Sequence, residues 1–259
     1  MLELYHWEPN TFFLKPLIAL AEKGVPYSSR YFDATRFEQF GAGFPSSVES
    51  RLHLEREGPV LVHDGFIVAS SFFMLEYIAE AFPGPSLLPA QPYDRYRAHA
   101  SGQRMALLVG SAVSTLGCAR YLAPELRARP AQTTRAQIAA IEPLERRAAW
   151  SAVLEADERQ VTAARAQLAA PLQRLESALA GSAWLAGPDY SIADIDAFAM
   201  LTPLPDLAPE LLNSSAAPNI MGFLQRIRAR PAVRDALALS RTGKPGQAFV
   251  PGAEPSRWG

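Results

Sequence analysis

Apolar positions fall in short alternating runs over the first third of the chain and take up a helical period over the rest. Leu2-Glu3-Leu4-Tyr5 alternates and predicts a strand. Residues 6–13 contain Pro9 and Asn10, both turn formers, and predict a loop. From Leu14 to Gly24 the positions Leu14, Leu17, Ile18 and Ala21 mark an amphipathic helix, with Pro16 tolerable in the first turn and Gly24 as its stop. A second strand is predicted over 27–32, and strand–helix–strand implies a right-handed parallel βαβ unit. Residues 36–57 are poorly patterned, with one helical turn expected at 37–40. Pro59 to Val62 is an apolar run, His63-Asp64-Gly65 a hairpin turn and Phe66 to Val68 a second run. Ser70-Ser71 then stands where a helix needs its N-cap, ahead of Phe72, Leu75, Tyr77 and Ile78. The expected N-terminal unit is therefore β-α-β-β-α. Pro59 opens its third strand, where the missing N–H is admissible and where a cis peptide can occur.

Beyond Phe82 the strand signals vanish. Pro83, Gly84, Pro85, Pro89 and Pro92 predict a stiff linker. A long helix is expected over 93–122, interrupted by 124–130, and a second helical region over 145–179 with Pro171 as a break or new start. Ser191-Ile192-Ala193-Asp194 is a capping box, and the nearly all-apolar helix after it belongs at the centre of its domain. Another helix is expected over 218–228, and 244–259 as an irregular tail. The predicted organisation is 1–84, a linker at 85–92, an all-helical domain at 93–243, and the tail.

Composition narrows what such a chain does. Nearly half of its 259 residues are hydrophobic, so it can bury sizeable cores, and a net charge of −1 gives no electrostatic case for nucleic acid or an anionic membrane. No apolar run in the sequence is read as a membrane span, and no signal peptide is expected, which points to a cytoplasmic protein. The single cysteine, Cys118, excludes an internal disulfide and is expected as a small core residue; four scattered histidines show no ligand spacing, so no metal is expected.

Taken together, the β-α-β-β-α unit, proline linker, Pro59-Val60-Leu61, Ser71 and the Ser191-to-Asp194 box resemble the glutathione transferase superfamily. Leu14-Lys15-Pro16-Leu17, Ala21-Glu22-Lys23-Gly24, Phe37-Glu38-Gln39 and Arg228-Ala229-Arg230-Pro231-Ala232 are similar to the bacterial branch that contains the β-aryl etherases of lignin breakdown. That resemblance implies an α/β thioredoxin-like N-terminal domain and an all-α C-terminal domain. It implies glutathione as cosubstrate in the cleft between them, beside a hydrophobic and in particular aromatic small molecule, in a homodimer. Ser71 would hold the γ-glutamyl carboxylate at a helix N-terminus, with Ser70 beside it, and the backbone of Gly58 and Pro59 would pair with the cysteinyl part. A hydroxyl or amide near the first helix would lower the pKa of the sulfur. Asn10 and Thr11 are the polar candidates there, although an asparagine at such a position more often just caps a turn after proline. Trp7, Phe12, Phe13, Phe40 and Tyr121 would line the cleft or, alternatively, pack the domain interface.

The chain departs from the family pattern at several of these places. It has Ser70 where the family has Glu or Gln, Gly58 where it has Val, and Phe12-Phe13 where the etherases resemble Asn-Ser. Phe40 replaces a frequent His, and Leu54-Glu55-Arg56-Glu57 the usual Asn-Pro-x-Gly turn. Three readings remain open: a glutathione-dependent transferase or ether-cleaving enzyme, a glutathione-independent enzyme of the same fold such as an isomerase or cyclase, and a non-catalytic binding module.

Overall fold

The computed structural model describes residues 1–45, 57–142 and 144–252. The sheet has the order β2-β1-β3-β4, from β1 (Leu2–His6), β2 (Ser28–Tyr31), β3 (Val60–His63) and β4 (Phe66–Ala69). β1 and β2 run parallel around α1 (Thr11–Lys23), while β3 and β4 are antiparallel neighbours. α2 (Ser71–Ala81) follows β4 and packs beside α1 on the sheet. This is the β-α-β-β-α unit that the hydrophobic pattern predicts, in the thioredoxin-like arrangement that the family resemblance implies. Gly24 ends α1 in the left-handed conformation expected of a glycine stop.

The second domain is wholly helical among the described residues. Its spine, α3 (Pro92–Arg127), is 36 residues long. Proline at position 124 does not interrupt it, contrary to the sequence expectation. A π turn at Cys118–Leu122 comes just before, so the ladder is already shifted where the proline N–H is missing. One 18-residue stretch of α3 has a mean hydropathy of 1.4, so a helix of membrane-spanning length and composition does exist; 56% of that stretch is buried inside the protein, as in a core helix. A short helix the sequence reading did not assign, α4 (Ala131–Ala139), leads to α5 (Leu144–Leu154) and α6 (Glu158–Ala180). The break between the last two is at 155–157, where Asp157 and Gln160 form a capping box, and Pro171 lies inside a continuous α6. α7 (Ile192–Leu201) is buried along its whole length and begins at the expected Ser191–Asp194 capping box. α8 (Pro218–Arg228) and α9 (Pro231–Ala238) complete the domain.

The two domains are locked together by α1 packing on α7 and α9. At its centre Lys15 Nζ meets Asp196 Oδ1 at 2.7 Å, both side chains almost fully buried. On its rim Arg230 holds Glu22 with bonds of 2.5 and 2.9 Å.

Candidate functional site

Three turns meet at one end of the sheet, because the pairing register puts them there. Tyr5 pairs with Val60 and Val60 with Ala69, so the loop after β1, the start of β3 and the end of β4 lie side by side. They carry Asn10 and Thr11, Gly58 and Pro59, and Ser70 and Ser71 respectively. The residues the sequence singled out for glutathione binding and for thiol activation are thus brought together at one end of the sheet. The Gly58–Pro59 peptide is cis.

The backbone at this corner is unusual at each turn. Thr11 opens α1 with φ +43°, Gly58 has φ +97° and Ser70 has φ +73°. Gly58 also explains one departure from the family pattern. A Cβ there would lie 3.3 Å from Phe13 Cε1 and 3.5 Å from Phe32 Cζ, so the ring of Phe13 occupies the space of a larger residue. Ser70 stands at the N-cap of α2 but its side chain makes no cap hydrogen bond, and both Ser70 and Ser71 are buried.

The aromatic residues do not form one wall. Trp7, Phe13 and Phe32 make a buried edge-to-face series, with centroid spacings of 6.2 and 5.8 Å. Phe12 is buried as well, with Lys15 Nζ over its ring. Phe40 instead packs on Trp150 of α5, and Tyr121 of α3 lies parallel to Phe249 at 6.0 Å. His6, behind the turn, is held as the neutral imidazole: burial lowers its pKa, and its ring nitrogens bond Trp7 O and Ser29 Oγ at 2.7 Å each. That fixes the direction in which the chain leaves β1.

A strap from the C-terminal segment closes over this corner, and the sequence reading missed it. Asn10 Nδ2 donates to the carbonyl of Ala248 at 2.9 Å rather than capping α1. Phe249 stacks on Tyr121 and seats on Gly117, where any side chain would collide with the ring. Arg146 donates to the carbonyl of Pro251 at 2.9 Å. The signal that could have found the strap is the apolar run Ala248-Phe249-Val250-Pro251, which is buried in the structure. The part of the expected tail at 253–259, like the expected poorly patterned stretch at 46–56, lies outside the described residues.

Two buried carboxylates anchor strap and corner. Glu8 accepts from Tyr31 Oη, Ser240 Oγ, the Arg241 and Thr242 N–H groups and Thr242 Oγ1, at 2.5–3.1 Å. Burial by itself would raise its pKa, but these donors outweigh that and hold it below the ordinary value of 4.5. A depressed carboxylate pKa stabilises the folded form fully above the unfolded value and loses that contribution as pH falls through the folded one. The Glu8 anchor is therefore expected to loosen only as pH falls below the ordinary glutamate range. Amide exchange at Arg241 and Thr242 should accelerate across that range, and Glu8→Gln should show the fast exchange already at neutral pH. Unchanged exchange in Glu8→Gln would contradict the anchor.

Glu57, the residue before Gly58, is the second. Arg146 of α5 reaches its Oε1 through Nε at 2.6 Å and through a second, shorter contact, and Trp150 Nε1 donates to the same oxygen at 3.1 Å. Burial pushes the Glu57 pKa up, and the guanidinium opposes it. One helical-domain arginine thus holds both the start of β3 and the strap. The thiol of Cys118 is buried and its pKa is pushed up by that burial, which leaves it protonated. Among the described residues no group of three or more metal-ligating side chains occurs.

Comparison with known proteins agrees with this architecture. The family description "Glutathione S-transferase, N-terminal domain" matches residues 1–80, and "Glutathione S-transferase, C-terminal domain" matches residues 127–231. Protein LigF of Sphingobium sp. (strain NBRC 103272 / SYK-6) is 27% identical over 247 residues, 93% of this chain and 94% of that protein. The crystal structure of beta-etherase LigF from Sphingobium sp. strain SYK-6 superposes with a TM-score of 0.84 over 92% of this chain and 99% of that one. Glutathione transferase F7 of Populus trichocarpa, 18% identical, shares the fold with a TM-score of 0.70 over 96% of this chain and 100% of that one.

Proposed function

Because this chain belongs to the glutathione S-transferase family, we propose that it activates the thiol of glutathione for attack on a hydrophobic aromatic molecule. The reaction is thiol addition or, by analogy with the similarity to a beta-etherase, cleavage of an ether. The observation that carries this reading is the convergence of the Asn10–Thr11, Gly58–Pro59 and Ser70–Ser71 turns at one end of the sheet. The first-turn N–H groups of α2 and the Ser71 hydroxyl suit the γ-glutamyl carboxylate. The Gly58–Pro59 backbone suits the cysteinyl part of the peptide. At the start of α1, the Thr11 hydroxyl and the second N–H of the Asn10 amide are donors for a thiolate. Such donors favour the charged form and lower the thiol pKa. The thiolate forms an S–C bond to the carbon bearing the ether oxygen; the C–O bond breaks, and the aryloxide leaves and takes up the proton that the thiol released. The chain acts as a soluble cytoplasmic protein and as a homodimer, the latter supported by the exposed Phe66, Phe73, Tyr93 and Tyr96 on β4, α2 and the start of α3.

The burial of Ser70 and Ser71, and the engagement of Asn10 by the strap, favour a second reading. In that reading the fold serves a glutathione-independent isomerase or cyclase, or a binding module. Passing the intact chain over immobilised glutathione separates the two. Retention, elution by free glutathione and release of phenol from a β-aryl ether support the first; no retention at millimolar glutathione, with turnover or ligand capture in its absence, overturns it. Sedimentation velocity on the same sample checks the dimer, and a monomer at micromolar concentration would refute it.

A further inference from the structure

Arg146 of α5 reaches the N-terminal domain and the strap at once, and it is itself buried. Its Nε donates to Glu57 Oε1 at 2.6 Å, and its Nη2 contacts the same oxygen and also donates to the carbonyl of Pro251 at 2.9 Å. Glu57 immediately precedes the Gly58–Pro59 turn. Pro251 lies a few residues beyond Ala248, whose carbonyl accepts from Asn10 Nδ2. The arginine is thus one bond from the start of β3 and one short stretch of strap from the start of α1.

That stretch of strap has little freedom. Ala248, Phe249 and Val250 are buried, and the Phe249 ring stacks on Tyr121 and fills the space in front of Gly117. Gly252 sits so close to α3 that a Cβ there would lie 2.8 Å from Ser114 Cβ. A shift at Pro251 is therefore passed to Ala248 rather than taken up by slack backbone. The Ala248 carbonyl in turn orients Asn10, whose side chain makes no cap bond to α1. The two amide hydrogens lie in one plane, so committing one of them to Ala248 fixes the direction of the other. Such a donor helps a developing charge only when it is held within about 0.5 Å and about 10–20° of its productive geometry.

We infer that Arg146 is a positioning residue: through Pro251 and Ala248 it sets the direction of the Asn10 amide, and through Glu57 it keeps the Gly58–Pro59 turn in register with that amide. It touches no reacting atom. The inference rests on the reading of Asn10 as a donor to the thiolate, and it gives the helical domain a part in thiol activation. The donor and the backbone cradle come from separate loops, and one guanidinium braces both.

Glu57→Gln combined with Arg146→Met tests this in the full-length chain. The pair removes both buried charges together, leaves the Trp150 indole an acceptor at residue 57, and takes the Arg146 donor from Pro251. Without glutathione, heteronuclear NMR of the Asn10 side-chain amide should show hydrogen exchange about tenfold faster than in the wild type, the loss of about one neutral hydrogen bond. With glutathione bound, thiolate absorbance followed against pH should show about tenfold less thiolate at neutral pH, and kcat should fall by the same factor. The dissociation constant should change less than about threefold, because Ser71 is untouched. In an Asn10→Ala background the same pair should lower the thiolate fraction no further, since groups acting in series are not additive. Arg146→Lys, whose single ammonium meets Glu57 without forking to Pro251, should reproduce the pattern if the pair does not fold. Unchanged exchange of the Asn10 amide, or an equal loss of thiolate in the Asn10→Ala background, would overturn the inference. A wild type that binds no glutathione refutes the proposed function instead, and the amide exchange, read without glutathione, separates the two failures.

Discussion

Arg146→Ala is expected to lower the stability of the chain by about 3–5 kcal/mol, because it leaves the Glu57 carboxylate buried without its counter-charge. Glu57 and Arg146 are each almost completely buried, and the Trp150 indole N–H at 3.1 Å cannot replace a guanidinium. The consequence is also local. Glu57 directly precedes Gly58, and the same arginine holds Pro251, so the variant should loosen both the start of β3 and the strap. Replacing both partners removes the unpaired charge, so Glu57→Gln with Arg146→Met should recover most of the loss. Urea unfolding of the three proteins measures this; a loss below about 1 kcal/mol for Arg146→Ala would show that the pair is not structurally important.

Ser71→Ala is expected to raise the glutathione dissociation constant about ten- to a hundredfold. A hydrogen bond to a charged group is worth about 1.5–3 kcal/mol, and about 1.4 kcal/mol is one decade. Alanine is well accepted in a helix, so the fold should survive; the Tm and circular dichroism check that. Calorimetric titration of wild type and variant with glutathione reads the effect directly. Because Ser71 is buried at the N-terminus of α2, binding also requires the side chains covering it to give way. An unchanged dissociation constant would mean that the carboxylate is held elsewhere.

The sequence by itself determined the architecture. Alternation in Leu2–Tyr5, the His63-Asp64-Gly65 turn and the Ser191–Asp194 box are local signals, and local hydrogen bonding and side-chain periodicity are what they report. It also placed Ser71 and Pro59 correctly relative to the strands, which is why the corner was legible. What it misplaced were boundaries where one local rule was overridden by another. Pro124 continues α3 because a π turn precedes it, and Asp157 rather than Pro171 divides α5 from α6. Only the tertiary structure decided what surrounds the corner. That Gly58 accommodates Phe13, that Arg146 pairs with Glu57, and that Asn10 bonds Ala248 are contacts between residues far apart in the chain. Nothing in the spacing of either partner encodes such contacts, because packing volume and charge burial are settled only when both domains and the strap come together.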